Sequence, residues 1–300
     1  MIMKRANKLY KKISSRMPIK KAAVYVLLIL LSFILLFPIV FMLANSFMSS
    51  EEVVNNYQNQ FMPSDSGQAG YAQFKLIPGF VTFIQYYEAL FRRPNFLFVF
   101  WNSVIITVPI VFFQTVVAVF SGYAFAKLKF PLRNQIFFAF IVIMLMPLQV
   151  TLVPNYIVLR KLNLIGSYIS VILPGAFSTF GVVLLRQYIK GIPAEYCEAA
   201  KIDGAGYLRT FTGIILPQCK GVIASVAILV FIDNWNMVEQ PLVFLSDPKK
   251  HPLSVYFSYV KGLDLGISFA CGVLYMVPVM LLYLYGEDYL VKGIQLSGLK

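Results

Sequence analysis

Residues 22–44 read AAVYVLLILLSFILLFPIVFMLA, with no charged side chain, directly after Lys20 and Lys21. Crossing the hydrocarbon core of a bilayer takes roughly 20 residues of helix, because the backbone there must bond to itself. The stretch therefore predicts a transmembrane helix. Five more such stretches follow at 98–122, 136–159, 168–189, 221–240 and 268–290. Composition points the same way: 59% of residues are hydrophobic, 13% are charged and mean hydropathy is +0.73. A soluble domain carries about 45–50% apolar and about 25% charged residues. Three hundred residues would otherwise suggest two soluble domains. The expected fold is all-α, a polytopic membrane protein with six transmembrane helices.

Charge orients it. Residues 1–21 form a basic tail with Lys4, Arg5, Lys8, Lys11, Lys12, Arg16, Lys20 and Lys21. A cleaved secretory signal does not fit, because the apolar run is too long and lacks a small-residue cleavage site. Placing this tail inside puts 18 of the 26 Lys and Arg in inside tails and loops and 8 outside. The positive-inside rule then expects both termini in the cytoplasm. The cations cap apolar stretches rather than forming a face with aromatic or amide readers, so the net charge of +13 does not indicate nucleic acid. Cys197, Cys219 and Cys271 lie far apart, and His251 is the sole histidine. Neither disulfides nor a metal centre is expected.

The one large external segment, 45–97, contains a polar loop from Asn55 to Gly70 and a candidate amphipathic helix at 80–93 near the membrane surface. The rest of the chain, 22–300, reads as one transmembrane domain without a visible repeat.

The inside loop 190–220 carries Gly191-Ile-Pro-Ala-Glu-Tyr-Cys-Glu-Ala-Ala-Lys-Ile-Asp-Gly-Ala-Gly. It predicts a helix, a glycine turn and a second helix from about Tyr207, with Pro217 near the fifth span. Pro193 suits a first helical turn. Glu195 and Glu198 suit the positive end of the helix dipole. Gly204 suits a left-handed helix stop. Tyr196, Ala199, Ala200 and Asp203 share one face. By geometry alone, this hairpin either docks on another protein or lies on the lipid surface.

Glu198-Ala199-Ala200, Gly204 at the fourth position after Ala200, and Ile214-x-Leu216-Pro217 resemble the EAA loop of ABC importer permeases. In that family the loop is a cytoplasmic coupling helix between spans four and five, seated in a cleft of the ATPase. The resemblance implies coupling roles for Glu198, Ala199, Ala200, Asp203, Gly204 and Pro217. Gly221 departs from the pattern, since many carbohydrate-type members have a second proline there. Met146-Pro147-Leu148-Gln149, Pro154, Leu185-Arg186-Gln187, Asn102-Ser103, Trp235-Asn236, Pro241-Leu242 and the tail from Val291 resemble the carbohydrate branch, of maltose and multiple-sugar type. That likeness implies a second permease subunit, two ATP-binding subunits that carry ATP and Mg, and an extracellular solute-binding protein. No cofactor is expected on this chain itself. The external surfaces 241–267, with Lys249 and Lys250, and 45–97 are the expected contacts of the binding protein.

Polar groups inside the spans are the other signal, since ionisable side chains there are costly and mark function. Asp233 shares a helical face with Asn236, Met237 and Gln240, beside Asn234, Trp235 and Glu239. Carboxylates, amides and an indole suit a sugar path, or they satisfy one another or a partner at a helix interface. Pro147 and Pro154 share a face with Thr151 and Asn155 and mark a kinked, polar-faced third span, with Gln149 nearby. This face either lines the path or packs on a neighbour. Asn102, Gln114, Ser178 and Thr179 are weaker candidates. The sequence has no nucleophile elbow, no His-Glu-x-x-His and no Gly-Lys dipeptide for a phosphate loop, so an enzyme is not expected. A polyol, a glycerol phosphate, or a self-sufficient secondary transporter are the competing readings.

Overall fold

A computed structural model describes residues 19–57, 75–92, 94–258 and 265–298, the side chains of Ile19, Lys20, Ala22, Pro94, Ser258 and 290–298 excepted. The basic tail before Ile19 and most of the expected polar loop at 55–70 lie outside the described residues. All regular structure among the described residues is helical. The helices are α1 Ile19–Ser46, α2 Ser50–Tyr57, α3 Ile84–Tyr87, α4 Pro94–Lys127, α5 Arg133–Met144, α6 Leu148–Lys161, α7 Ile169–Gly175 and α8 Thr179–Gly191. They continue as α9 Glu195–Ile202, α10 Tyr207–Thr210, α11 Leu216–Gln218, α12 Lys220–Trp235, α13 Glu239–Phe244, α14 Leu253–Ser258 and α15 Leu265–Gly298. Four stretches are long and apolar enough to cross a membrane: 23–46, 95–127, 169–191 and 265–289. Two bent pairs, α5 with α6 and the segment 207–218 with α12, raise this to six if each is one span.

Three of the expected spans are not continuous helices, the fourth being interrupted between α7 and α8. The third turns by 105° between α5 and α6. Pro147 is not a kink inside a helix: it sits at the start of α6 with φ −65 and ψ 144. Its ring disfavours helical backbone at Met146, and its missing N–H cannot close a turn. Only Pro154 lies within α6. The fifth span ends at Trp235 and resumes at Glu239, so the expected face from Asp233 to Gln240 is cut at Asn236–Val238. The expected helix over 80–93 begins at Ile84 and continues as a π turn over Glu88–Arg92.

The chain divides into two compact units, residues 1–87 with 264–273, and residues 88–263 with 274–300. In the first, Met48, Val53 and Tyr57 form a small core with Phe41, Leu265 and Phe269. Ser49 caps α2 by accepting the Glu52 N–H at 3.2 Å, half of a capping box. The Glu52 carboxylate turns away, accepting from Lys75 Nζ at 2.6 Å and the Gly79 N–H at 2.8 Å. Burial pushes its pKa up, but the Lys75 ammonium and the Gly79 and Phe80 N–H groups outweigh this and hold it below the ordinary value.

In the second unit α4 packs along α8. A Cβ added at Gly122 would lie 2.8 Å from Leu185 Cβ and 3.1 Å from the Arg186 backbone nitrogen, and one at Gly181 would lie 3.0 Å from Ala118 Cβ. Small residues let helices approach closely where lipid removes the hydrophobic incentive to associate. The core around this seam holds Val182, Leu185, Ile189, Phe211, Ile215 and Val226.

Two outcomes follow. Gly122→Leu drives a side chain into α8 backbone, so the midpoint of thermal unfolding in detergent falls, with a cost of about 1–3 kcal/mol. Because the folded pKa of Glu52 is depressed, its clasp stabilises above the unfolded value and is lost as pH falls through the folded one. The protection of the Gly79 amide, its exchange measured against the intrinsic rate at each pH, is therefore expected to fall in acid in the native chain, and Glu52→Gln removes most of that change.

Candidate coupling hairpin and polar helix breaks

Between α8 and α12 the chain folds back on itself. Helix α9 starts after Ala194, whose carbonyl accepts from Cys197 and Glu198 at 2.9 and 3.1 Å. Pro193 lies just before this turn rather than in it. Glu195 and Glu198 occupy the first turn. The other end closes as a Schellman motif: the Gly204 N–H donates to the Lys201 carbonyl at 3.0 Å and the Ala205 N–H to the Ala200 carbonyl at 2.8 Å. Gly204 has φ +79, and nothing lies within 4 Å of a Cβ built there. Its demand is therefore conformational: L side chains in this region cost roughly 1–2 kcal/mol. Lys201 Nζ lies 5.4 Å over the Tyr207 ring across the turn.

Tyr196, Ala199, Ala200 and Asp203 lie together on one wall of a groove of about 510 Å³, faced by Arg209 and Gly213. The small-residue face looks along the hairpin's own second helix, and Ala200 is buried there. Glu198 is exposed and outside the groove, and no described cation forms an ion pair with it. Pro217 is exposed within α11. The chain then bends by 74° at Cys219, before Gly221, into α12.

The hairpin is fastened at three backbone carbonyls. Lys127 Nζ donates to Ile192 at its start, Tyr123 Oη to Tyr207 at 3.3 Å in its middle, and Tyr188 Oη to Gln218 at 3.0 Å at its end. Phe211 stacks at 4.8 Å on Tyr123 and 5.1 Å on Phe120. The motif gives no sign of Tyr123, Lys127 or Tyr188. Only an aromatic or basic residue near a helix end hinted at them.

The polar residues of the spans gather where helices break. Trp235 is 1% exposed, stacked between Phe231 at 5.3 Å and Tyr275 at 6.0 Å, with its indole N–H on the Tyr275 carbonyl. As a sugar-facing residue it is corrected: it is a core residue that joins α12 to α15. Asn236 ends α12, its Nδ2 on the Ile232 carbonyl and its Oδ1 accepting from Tyr275 Oη at 2.7 Å. Asp233 is exposed. Gln149 Nε2 donates to both Glu239 oxygens at 3.0 and 3.3 Å, tying the first turn of α6 to that of α13. Thr151 Oγ1 bonds back to the Leu148 carbonyl, with Asn155 a turn further on and partly buried. Asn102 is buried in support of the loop before α14, donating to the carbonyls of Lys249 and His251 and accepting from Tyr168. Gln114 donates to the Gly175 carbonyl. Lys250 reaches the Gly166 carbonyl, so only Lys249 of the expected lysine pair is exposed.

Residues 114–295 match the model of the binding-protein-dependent transport system inner membrane component. The chain belongs to this family. Its members are permease components of ABC transporters in the bacterial inner membrane and are not enzymes. The chain is 31% identical over 204 residues to the arabinooligosaccharides transport system permease protein AraQ of Halalkalibacterium halodurans, covering 67% of this chain and 73% of that one. It is 28% identical to AraQ of Bacillus subtilis over 96% of this chain and 98% of that one. The sn-glycerol-3-phosphate transport system permease protein UgpE of Yersinia pestis is 36% identical over 49% of this chain and 52% of its own. A bacterial ABC transporter involved in the import of the acidic polysaccharide alginate has the same fold, with TM-score 0.78 at 23% identity, covering 90% of this chain and 96% of that one.

Gly204→Val forces a β-branched residue into the left-handed region and opens the Schellman turn. Exchange at the Ala205 amide is expected to quicken about 5- to 30-fold, the ratio for 1–2 kcal/mol.

Proposed function

We propose that this chain is the permease subunit of an ATP-driven importer that translocates a sugar or oligosaccharide delivered by an extracellular solute-binding protein. In this reading the two bent pairs each count as one span, giving six, and both termini are cytoplasmic. A second, related permease completes the pore. Two separate ATPase subunits hold ATP and Mg, and the hairpin around α9 is the coupling helix that they grip. The observation that carries the reading is the hairpin itself: a short, exposed, glycine-closed helix bolted by Lys127, Tyr123 and Tyr188 to α4 and α8. A push on α9 then moves whole helices rather than bending a loop. Glu198, free of ion pairs with described residues, is the residue offered to the ATPase.

ATP binding closes the ATPases, the hairpins follow, and the cavity turns outward; hydrolysis resets it. Asp233, Asn236, Gln149 with Glu239, Thr151 and Asn155 are the polar groups offered to the path. Hydroxyl-rich solutes suit amides and carboxylates. The segments 134–159 and 221–248 contain acids and amides but no Lys or Arg, which favours an uncharged sugar or polyol over a glycerol phosphate. The likeness to the glycerol-phosphate permease keeps that solute as the second reading.

The test is ATP hydrolysis by the reconstituted assembly against a panel of neutral oligosaccharides, polyols and glycerol phosphate, each with its binding protein. Stimulation by a neutral sugar is expected, and stimulation by glycerol phosphate alone would shift the assignment. Gly204→Val is expected to cut that stimulation at least tenfold while membrane insertion is retained. A fully coupled Gly204→Val assembly refutes the hairpin's role.

A further inference from the structure

From Leu76 to Tyr87 the external segment contains no charged residue. Its large apolar side chains face outward: Ile77 is 78% exposed, Phe80 80%, Val81 62%, Phe83 68% and Ile84 53%. Water-exposed patches of this kind are rare on proteins and mark a partner or a membrane. The opposite side of the strap is polar and fastened. The Thr82 N–H donates to the Phe47 carbonyl at 2.9 Å, and Tyr86 and Ser46 share a hydrogen bond of 2.7 Å. Gln85, fully buried, donates to Ser50 Oγ at 2.9 Å and the Met48 carbonyl at 3.3 Å. All of these anchors lie within a turn or so of the end of α1, whose residues 23–36 are exposed.

We propose that residues 76–84 form a strap that lies in the bilayer interface beside the end of α1, with Ile77, Phe80, Val81 and Phe83 inserted among lipid acyl chains. Three observations select lipid as the occupant. The anchors fix the depth, because Ser46 ends a membrane-crossing helix and bonds Tyr86 just after the strap, while Phe47, next in the chain, accepts from Thr82 within it. The backbone of 75–83 is not helical; its polar groups need water or headgroups, which the interface supplies and the hydrocarbon core does not. The absence of charge is unlike a surface for a soluble protein that must dock and leave, since such interfaces are about as polar as ordinary protein surface. Aromatic side chains such as Phe80 and Phe83, beside an aliphatic set, suit insertion to a shallow depth. The inference does not depend on which solute is carried.

Spin labels report this directly. Single cysteines replacing Ile77, Phe80 and Phe83 are labelled in the full assembly in phosphatidylcholine–phosphatidylglycerol liposomes, with Cys197, Cys219 and Cys271 changed to Ser. Collision with oxygen, which concentrates in lipid, is expected to exceed collision with a water-soluble nickel chelate several-fold at all three sites. The reverse order is expected at the exposed Glu51→Cys control. Nickel accessibility at the strap overturns the proposal in favour of water. Low collision with both reagents overturns it in favour of a protein cover, the second permease or the binding protein. Should the cysteine-free assembly fail to form, Phe80→Trp with Trp101→Phe in the otherwise native chain is read by brominated phosphatidylcholine. At least a twofold gain in quenching over Trp101→Phe alone is expected, and no gain refutes the strap.

Discussion

Helix breaks at membrane depth free backbone carbonyls that lipid cannot satisfy, and the architecture is organised around repairing them. Where α7 stops before α8, Gln114 covers the Gly175 carbonyl. Where α12 stops, Tyr275 lies 3.3 Å from the Trp235 carbonyl and Thr107 reaches that of Asn234. An unsatisfied group in hydrocarbon costs several kcal/mol, and at these two breaks a side chain from another helix is in place. The breaks in turn are where acids and amides gather, and there the proposed solute path runs.

The same logic of carbonyls governs the cytoplasmic hairpin as read here. Gly122 and Gly181 bring α4 against α8, and that closeness sets the reach of Lys127, Tyr123 and Tyr188 to the carbonyls of Ile192, Tyr207 and Gln218. Removing the close packing would leave the hairpin hanging from flexible ends. The coupling role proposed for the hairpin needs a stiff mount, and the α4–α8 seam supplies one within this chain.

Much of the site was legible in the residues. Gly204 as a helix stop, the shared face of Tyr196, Ala199, Ala200 and Asp203, and the acids of the first turn all follow from local backbone geometry, which depends on neighbours in sequence. For Trp235 the residues left both a sugar path and a helix interface open, for a reason that is also physical. An indole beside a carboxylate and amides looks the same in sequence whether it faces a cavity or stacks on Phe231 and Tyr275, which lies forty residues away from it. Glu239 as the partner of Gln149, and Tyr275 as the partner of Asn236, had no local signal.

The sequence by itself determined that the chain is helical and membrane-bound and that one loop between apolar stretches carries a glycine-closed helix, because apolar run length and a left-handed stop act over a few residues. Tertiary structure decided that Pro147 breaks a helix rather than kinking it. It also decided which face of the hairpin is walled by its own second helix, and which polar side chains are already spent on backbone carbonyls. Those outcomes turn on whether a helix remote in sequence arrives within hydrogen-bonding distance, and no local pattern encodes that distance.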